Sequence, residues 1–343
     1  MNQLQKRDAP LLLWLAFSAA YLVVWRGFTQ SLTIDEAHSY QLYLRHGFRT
    51  FFEYYDAAYH GLHSWAAWAA SHTFGYAEWA LRLPSMIAGL AYLAGAGLLA
   101  RRLFGPGWRA AAGAVVLTAN PLIADYYSAS RGYGAALAFF LWAFLAMLDD
   151  RPPRAGLLLG LSVACNLTFI VPALAVGAVY VLLLWREAGG LLHRTLRLAA
   201  PFGLTAGILL ALTLVNARPQ DFYVGNRDLQ AALKTLVDSS FAHSEYDVPA
   251  WTYRFTEVSM PLAGVLLALL TAAALRRRAT GFSLAAGGLL ASLLALAAGH
   301  AVTGVRFPET RTGLYLLWLF LAALTAAWAW LASETNAWAR RAS

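Results

Sequence analysis

Two adjacent carboxylates, Asp35 and Glu36, stand just after the first apolar run of the chain, in Thr33-Ile34-Asp35-Glu36-Ala37-His38-Ser39-Tyr40. Thr33 and Glu36 have capping-box spacing, which predicts a helix start with both acids in the first turn. There the positive end of the helix dipole favours an ionised Asp35. An ionised carboxylate at a membrane surface can take a proton from a hydroxyl or bind a cation or a basic partner; alternatively, both acids only cap a surface helix. The other polar groups expected on the same face are His38, His60, His63, Arg131, Tyr133, Arg306, Glu309 and Arg311. Acid opposite cation suits displacement of a phosphate leaving group by an acceptor hydroxyl. The carboxylate orients or deprotonates the nucleophile, and arginine or histidine stabilises charge developing on the phosphate. Arginine fits the second task because its planar fork binds phosphate oxygens in pairs. Lysine occurs only as Lys6 and Lys234, so arginine and histidine must carry any phosphate contact.

The same side chains allow blander readings. Arg131, at a helix start, could mark a membrane interface. Arg306 and Arg311 flank Glu309 and could form an exposed ion pair worth about 0 to 1 kcal/mol. His60 and His63, three apart on one helix face, could hold a divalent cation with Glu53 or Glu36; no other cofactor is indicated.

These groups need elements to position them. Of 343 residues 59% are hydrophobic and 13% charged, and the mean hydropathy is +0.52. Runs of about 20 apolar residues recur throughout, each long enough to cross a bilayer, which predicts an all-α polytopic membrane protein. The single cysteine, Cys165, excludes an intrachain disulfide and a cysteine metal cluster. The net charge of +8 comes from arginines at loop ends and reads as a topology signal, not as nucleic-acid binding. The first run, Pro10 to Trp25, follows Lys6 and Arg7 and shows no small-residue cleavage site, so it is expected to be a retained anchor.

Spans are expected at 10–28, 80–103, 109–127, 131–148, 155–169, 171–186, 197–216, 257–275, 281–301 and 313–332, about ten in all. Residues 58–74 are moderately apolar. If they crossed, Arg101-Arg102, Arg151, Arg154, Arg186 to Arg197, Arg276 to Arg278 and Arg340-Arg341 would all lie opposite Lys6 and Arg7. The positive-inside rule therefore makes 58–74 juxtamembrane, both termini cytoplasmic and the acids external. Asn120-Pro121 reads as a kink within a span. The first outer loop, 29–79, and a long fourth outer loop, 217–256, would each carry a juxtamembrane helix; in the second, Asn226 is the expected N-cap and Leu229, Leu233, Leu236 and Val237 form one face. The chain reads as one domain, 1–343, ending soon after the last span with no C-terminal soluble domain. No internal repeat is evident, which argues against the alternative of a transporter or a flippase for lipid-linked glycans.

Several stretches, in order, resemble the membrane glycosyltransferases of the GT-C class, specifically bacterial relatives of the protein O-mannosyltransferases and of the lipid A aminoarabinose transferase. Thr33 to Tyr40 resembles their Asp-Glu-Ala-x-x-Tyr signature, and Tyr59-His60-Gly61-Leu62-His63-Ser64 their His-Pro-Pro-Leu or Asn-His-Pro-Leu segment. Leu81-Arg82-Leu83-Pro84-Ser85 is similar to their Leu-Arg-Leu-Pro-Ser helix. Asn120-Pro121 through Ser130-Arg131-Gly132-Tyr133, and Phe307 to Tyr315, complete the likeness. The resemblance implies a GT-C-like bundle in a bacterial inner membrane. It implies inverting transfer of a sugar from a polyprenyl-phosphate donor to a hydroxyl of a lipid, glycan or protein acceptor on the outer face. By position, Asp35 would be the catalytic carboxylate with Glu36 as its partner, and His60 would stand where relatives place the His or Lys that contacts the donor phosphate. The chain departs from the pattern at Gly61, where relatives have proline, and this loosens the turn that carries His60.

Overall fold

The computed structural model describes residues 3–56, 59–185, 190–218, 221, 225–241, 264, 271 and 280–342. Among these residues all regular structure is helical, apart from one antiparallel bridge between Asn226 and Phe307. Helix α1 (Gln3–Phe17) continues through a π-helical segment (Ser18–Trp25) into α2 (Arg26–Thr29). Then follow α3 (Ile34–Ser39), α4 (Gly61–Phe74), α5 (Glu78–Phe104), α6 (Trp108–Thr118), α7 (Pro121–Asp125), α8 (Gly132–Leu148) and α9 (Pro152–Cys165). The remaining helices are α10 (Ile170–Trp185), α11 (Leu191–Thr213), α12 (Leu229–Phe241), α13 (Thr280–Thr303) and α14 (Leu314–Ala342).

Five helical stretches are long and apolar enough to cross a membrane: Arg7–Thr29, Glu78–Phe104, Leu191–Thr213, Thr280–Thr303 and Thr310–Ser333. The chain is a multi-pass membrane protein. They account for five of the ten expected spans. The spans expected at 131–148 and 171–186 appear as shorter apolar helices, and those at 109–127 and 155–169 as helices of 11 and 14 residues. The span at 257–275 and most of the loop before it lie outside the described residues.

The Asn120-Pro121 kink is a full break. Asn120 leaves the helix and caps α7, its side chain accepting from the amides of Leu122 and Ile123 at 3.0 and 3.4 Å, with Pro121 at the first helical position. Two carbonyls at the end of α6 are satisfied by tyrosine hydroxyls: Tyr92 donates to Leu117 O at 2.6 Å and Tyr127 to Thr118 O at 2.8 Å. A break between apolar segments needs such partners, because apolar surroundings offer none.

Helix α8 is the hub of the core and is buried along nearly its whole length, packed between α5 and α9. On α14 the fully buried Trp318 meets Phe140 and Phe144 edge-on, with ring centroids 5.4 and 5.5 Å away. Small residues let backbones approach elsewhere. A Cβ on Gly156 of α9 would lie 2.1 Å from the Leu198 carbonyl of α11. At the end away from α3, Arg101 pairs with Asp8 at 3.1 Å and Arg102 with Asp149, so this basic cluster shares an end of the bundle with the N-terminal segment. The opposite end carries α3, α4, α7, the start of α8, the turn before α14, and α12 resting on that turn.

Candidate active site

The capping box forms as its spacing predicts: Thr33 accepts from the Glu36 amide at 3.3 Å, and Glu36 accepts from the Thr33 amide at 2.8 Å. The two acids then diverge. Glu36 turns inward, 2% exposed, and Arg82 of α5 donates to it from Nε at 2.9 Å and from Nη2 at 2.8 Å. The Ser130 amide adds a bond of 2.6 Å. Burial alone would raise the Glu36 pKa, but Arg82, the Ser130 amide and the Thr33 amide outweigh it and hold the carboxyl below its ordinary range. Arg82 also donates to the carbonyls of Gln30 and of Ser31, the latter at 2.8 Å. Glu36 therefore fastens α3 to α5 and to the approach to α8.

Asp35 points the other way. Its side chain is 37% exposed and lies between two arginines, with Oδ2 2.7 Å from Arg311 Nη1 and 3.4 Å from Arg131 Nη1. Arg131 is the N-cap residue of α8, and its side chain is 6% exposed. Its Nε and Nη1 make no hydrogen bond, so a buried guanidinium stands short of acceptors. Arg311 sits in the 3-10 turn Thr310–Gly313 that leads into α14. The backbone there is strained, since Thr310 is β-branched yet has a φ of +43°. Thr235 of α12 fastens it, accepting from the Thr310 amide at 2.9 Å.

Glu309 does not pair with its flanking arginines. Its backbone amide donates to Thr312 Oγ1 at 2.8 Å in a capping box, leaving Arg311 to Asp35. Arg306 lies on the same loop and reaches toward the Gly225 carbonyl at 3.5 Å. Asn226 does not cap α12. It bridges to Phe307 by bonds of 2.9 and 2.8 Å, and the cap is Asp228, whose Oδ1 accepts from Ala231 at 2.7 Å. The helix itself forms as expected, with Ala232 and Leu236 buried beneath it.

His60 and His63 are both buried, at 7% and 4% exposure. His60 lies edge-on to Tyr133, with ring centroids 5.2 Å apart, and its Nδ1 is 3.5 Å from Asn166 Nδ2; its Nε2 has no partner. Burial first, then the charge of Arg131, keep His60 well below the ordinary histidine range. The same two causes push His63 down to about 4, and neither of its ring nitrogens makes a well-aligned hydrogen bond. His60 is thus a neutral side chain. Among the described residues no three His, Cys, Asp or Glu side chains converge to hold a metal ion.

Two clefts meet at Asp35, Arg131 and Arg311. One, of about 360 Å³, runs from these residues past His60, Tyr133 and Arg306 onto an apolar wall of Ile170, Val171, Leu296 and Tyr315. His38, Asp56 and Asp221 close its other side, with His38 Nε2 3.5 Å from Asp56. The second, of about 710 Å³, runs past Thr33 and Tyr126 to the ion pair of Arg26 and Asp125, 2.6 Å apart. Of the residues proposed from sequence, Asp35, His38, His60, Arg131, Tyr133, Arg306 and Arg311 line the first cleft, Glu36 borders the second, and His63 and Glu309 line neither. Arg26, Asp125 and Asn166 escaped the sequence reading, and Arg82 entered it only as part of Leu81 to Ser85, with no role assigned. The Pro at the start of α7 and the charge of Arg26 at the end of an apolar run were the available signals.

The chain matches no protein-family model and no curated protein. Its fold matches ArnT from Cupriavidus metallidurans in the apo state, with a TM-score of 0.58 and 16% identity over 93% of this chain and 59% of that one. The same protein bound to undecaprenyl phosphate gives a TM-score of 0.59 and 17% identity over 92% and 59%. This is a GT-C fold. At such identity the likeness concerns the fold alone, and the chain spans about three-fifths of the length of ArnT. Within this GT-C fold the site is assembled from α3, the entry to α8 and the entry to α14, which lie far apart in sequence.

Proposed function

We propose that the chain is a glycosyltransferase that moves a sugar from a polyprenyl-phosphate donor to an acceptor hydroxyl, with inversion, at the membrane surface. One observation carries this reading: Asp35 stands where two clefts meet, beside two arginines, one buried and short of acceptors. The smaller cleft joins cationic groups to an apolar wall, which is the chemistry of a lipid phosphate. Its tail would lie along Ile170, Val171 and Leu296, and its phosphate against Arg131, Arg311 and Arg306. The neutral His60 would offer a hydrogen bond. The acceptor would enter by the larger cleft.

The acceptor oxygen attacks the anomeric carbon while the bond from that carbon to the phosphate oxygen breaks, its electron pair leaving with the phosphate. The acceptor proton passes to Asp35. Arginines 131 and 311 stabilise the departing charge in a site partly screened from water. Glu36, saturated by four donated hydrogen bonds, serves as a positioning residue. Outer-face orientation in a bacterial inner membrane belongs to the same proposal and rests on the arginine distribution. Membranes loaded with a panel of radiolabelled polyprenyl-phosphate sugars provide the test. Wild type should transfer label and a correctly inserted Asp35→Asn should not. Equal behaviour of the two, or no transfer by wild type with any donor, overturns the reading.

A further inference from the structure

The cation that holds Asp35 is also the cation the donor needs. Arg311 Nη1 is 2.7 Å from Asp35 Oδ2, and Arg131 Nη1 stands 3.4 Å from the same oxygen. Both guanidinium groups line both clefts. Asp35 Oδ2 is held by Arg311 and faced by Arg131, which fixes the direction of the carboxylate, and removing a proton from a hydroxyl needs a lone pair directed at that hydroxyl. A phosphate, by contrast, carries more acceptor oxygens than a carboxylate and suits the same forks. It would also supply acceptors for the Nε and Nη1 of Arg131.

We propose that the Arg311–Asp35 pair is an autoinhibitory contact that the donor phosphate opens. While Arg311 holds Oδ2, Asp35 is clamped. Donor phosphate entering that cleft draws Arg311, and with it Arg131, off Asp35, and the freed carboxylate then turns to the acceptor in the larger cleft. Donor binding thus comes before the acceptor is activated, and a bound acceptor alone meets a masked base. The inference rests on the transferase reading and adds to it an order of events and a competition. Asp35 and the donor phosphate are rivals for the same guanidinium groups, so each weakens the other's hold.

The rivalry fixes a sign that a simple catalytic or binding role for Asp35 does not. Removing the carboxylate should tighten donor-phosphate binding while it abolishes transfer. The full chain in detergent would be titrated with undecaprenyl phosphate as wild type, Asp35→Asn and Asp35→Ser; both replacements keep a side chain tolerated in a first helical turn. Asp56→Asn, which removes a carboxylate from the same cleft that contacts His38 instead of an arginine, reports the effect of general charge. The expected result is binding about fivefold tighter in both Asp35 variants, the equilibrium equivalent of one half-exposed ion pair, with a smaller change in Asp56→Asn. Equal or weaker binding by the Asp35 variants overturns the clamp and leaves the transferase reading standing. So does an equal gain in Asp56→Asn, which would make the effect one of overall field. Failure of wild type to bind undecaprenyl phosphate, together with failure to transfer any sugar, overturns both.

Discussion

Arg82 closes on Glu36 through two parallel hydrogen bonds, 2.9 Å from Nε to Oε1 and 2.8 Å from Nη2 to Oε2, across 46 residues of sequence. Both side chains are 2% exposed or less. This pair decides where Asp35 points. It fixes α3 against α5, and through the Ser130 amide it holds the backbone just before Arg131. Asp35 and its nearest buried cation are therefore set by one network.

Glu36→Gln should break that network while keeping its shape. The glutamine has one acceptor oxygen for four donors, and its amide nitrogen must face a donor. Arg82 keeps the carbonyls of Gln30 and Ser31 but loses its counter-charge, and truncating one member of a buried pair costs about 3 to 5 kcal/mol. Thermal unfolding in detergent should show a large loss, and transfer should fall even below the melting range. Because the folded Glu36 carboxyl is held below its ordinary value of 4.5, its contribution is present above that pH and is lost as pH falls through the folded value. Wild type should therefore lose stability below about pH 4.5, and the glutamine variant should lack that part of the slope.

His63 predicts a second, separate acid sensitivity. Its pKa is pushed down to about 4 by burial and then by Arg131, whereas an unfolded histidine titrates near 6.5. The unfolded chain therefore takes up a proton first as pH falls. Stability is complete above about 6.5 and drains away between there and about 4, by at most about 3 kcal/mol. His63→Leu removes one titrating group together with two ring nitrogens that lack good partners, so it should make this slope shallower, leaving the share of the buried His60, and be neutral or stabilising at pH 7.5. Melting temperatures of both proteins across the pH range check this.

What the sequence made legible was local. The capping box of Thr33 and Glu36, the long apolar runs and the amphipathic helix over Leu229 to Val237 each follow from spacing within a few residues, and each appears in the fold. The Asn120 break was half-legible. Asn followed by Pro is a helix-start signal, yet the apolar flanks suit a continuous span, and the break depends on Tyr92 and Tyr127 satisfying the freed carbonyls. Pairings across the chain left no local trace. Arg26 and Asp125 are 99 residues apart, and Glu36 and Arg82 are 46 apart. Adjacent residues on a helix point about 100° apart, so Asp35 facing the clefts sends Glu36 into the core.

Gly61 tests the turn that carries His60. Where the resembled family has proline, Gly61 has a φ of +29°, a value proline cannot adopt. A Cβ would stand 2.5 Å from the Ala164 carbonyl and 2.9 Å from Thr213 Oγ1. Gly61→Pro should therefore destabilise by more than about 1 kcal/mol, and Gly61→Ala should also destabilise, because both strain and contact oppose it. The proline variant should in addition lose binding of undecaprenyl phosphate, because His60 is displaced with the turn. Melting curves and lipid titration distinguish a lost fold from a displaced side chain.

Asn166 bears on the tautomer of His60, whose neutral state follows from burial and the charge of Arg131. Its Oδ1 accepts from the Thr168 amide at 3.0 Å and from the Thr168 hydroxyl at 2.8 Å, capping the turn between α9 and α10, while its amide nitrogen faces His60 Nδ1 at 3.5 Å. An amide donor in that place favours the neutral ring with its lone pair on Nδ1, and so directs the ring N–H outward from Nε2. Asn166→Asp keeps the cap but puts a carboxylate oxygen beside Nδ1. The ring must then carry its proton on Nδ1, and the new negative charge raises its pKa, opposing the burial and the Arg131 charge that now hold it down. The expected outcome is a correctly folded variant, with melting temperature near that of wild type. Its affinity for undecaprenyl phosphate should be lower at pH 8 and recover toward pH 6 as His60 gains a second proton. Wild type, with His60 neutral throughout, should show no such histidine step. A pH-independent loss in Asn166→Asp would mean that the carboxylate repels the phosphate directly and that the tautomer of His60 plays no part.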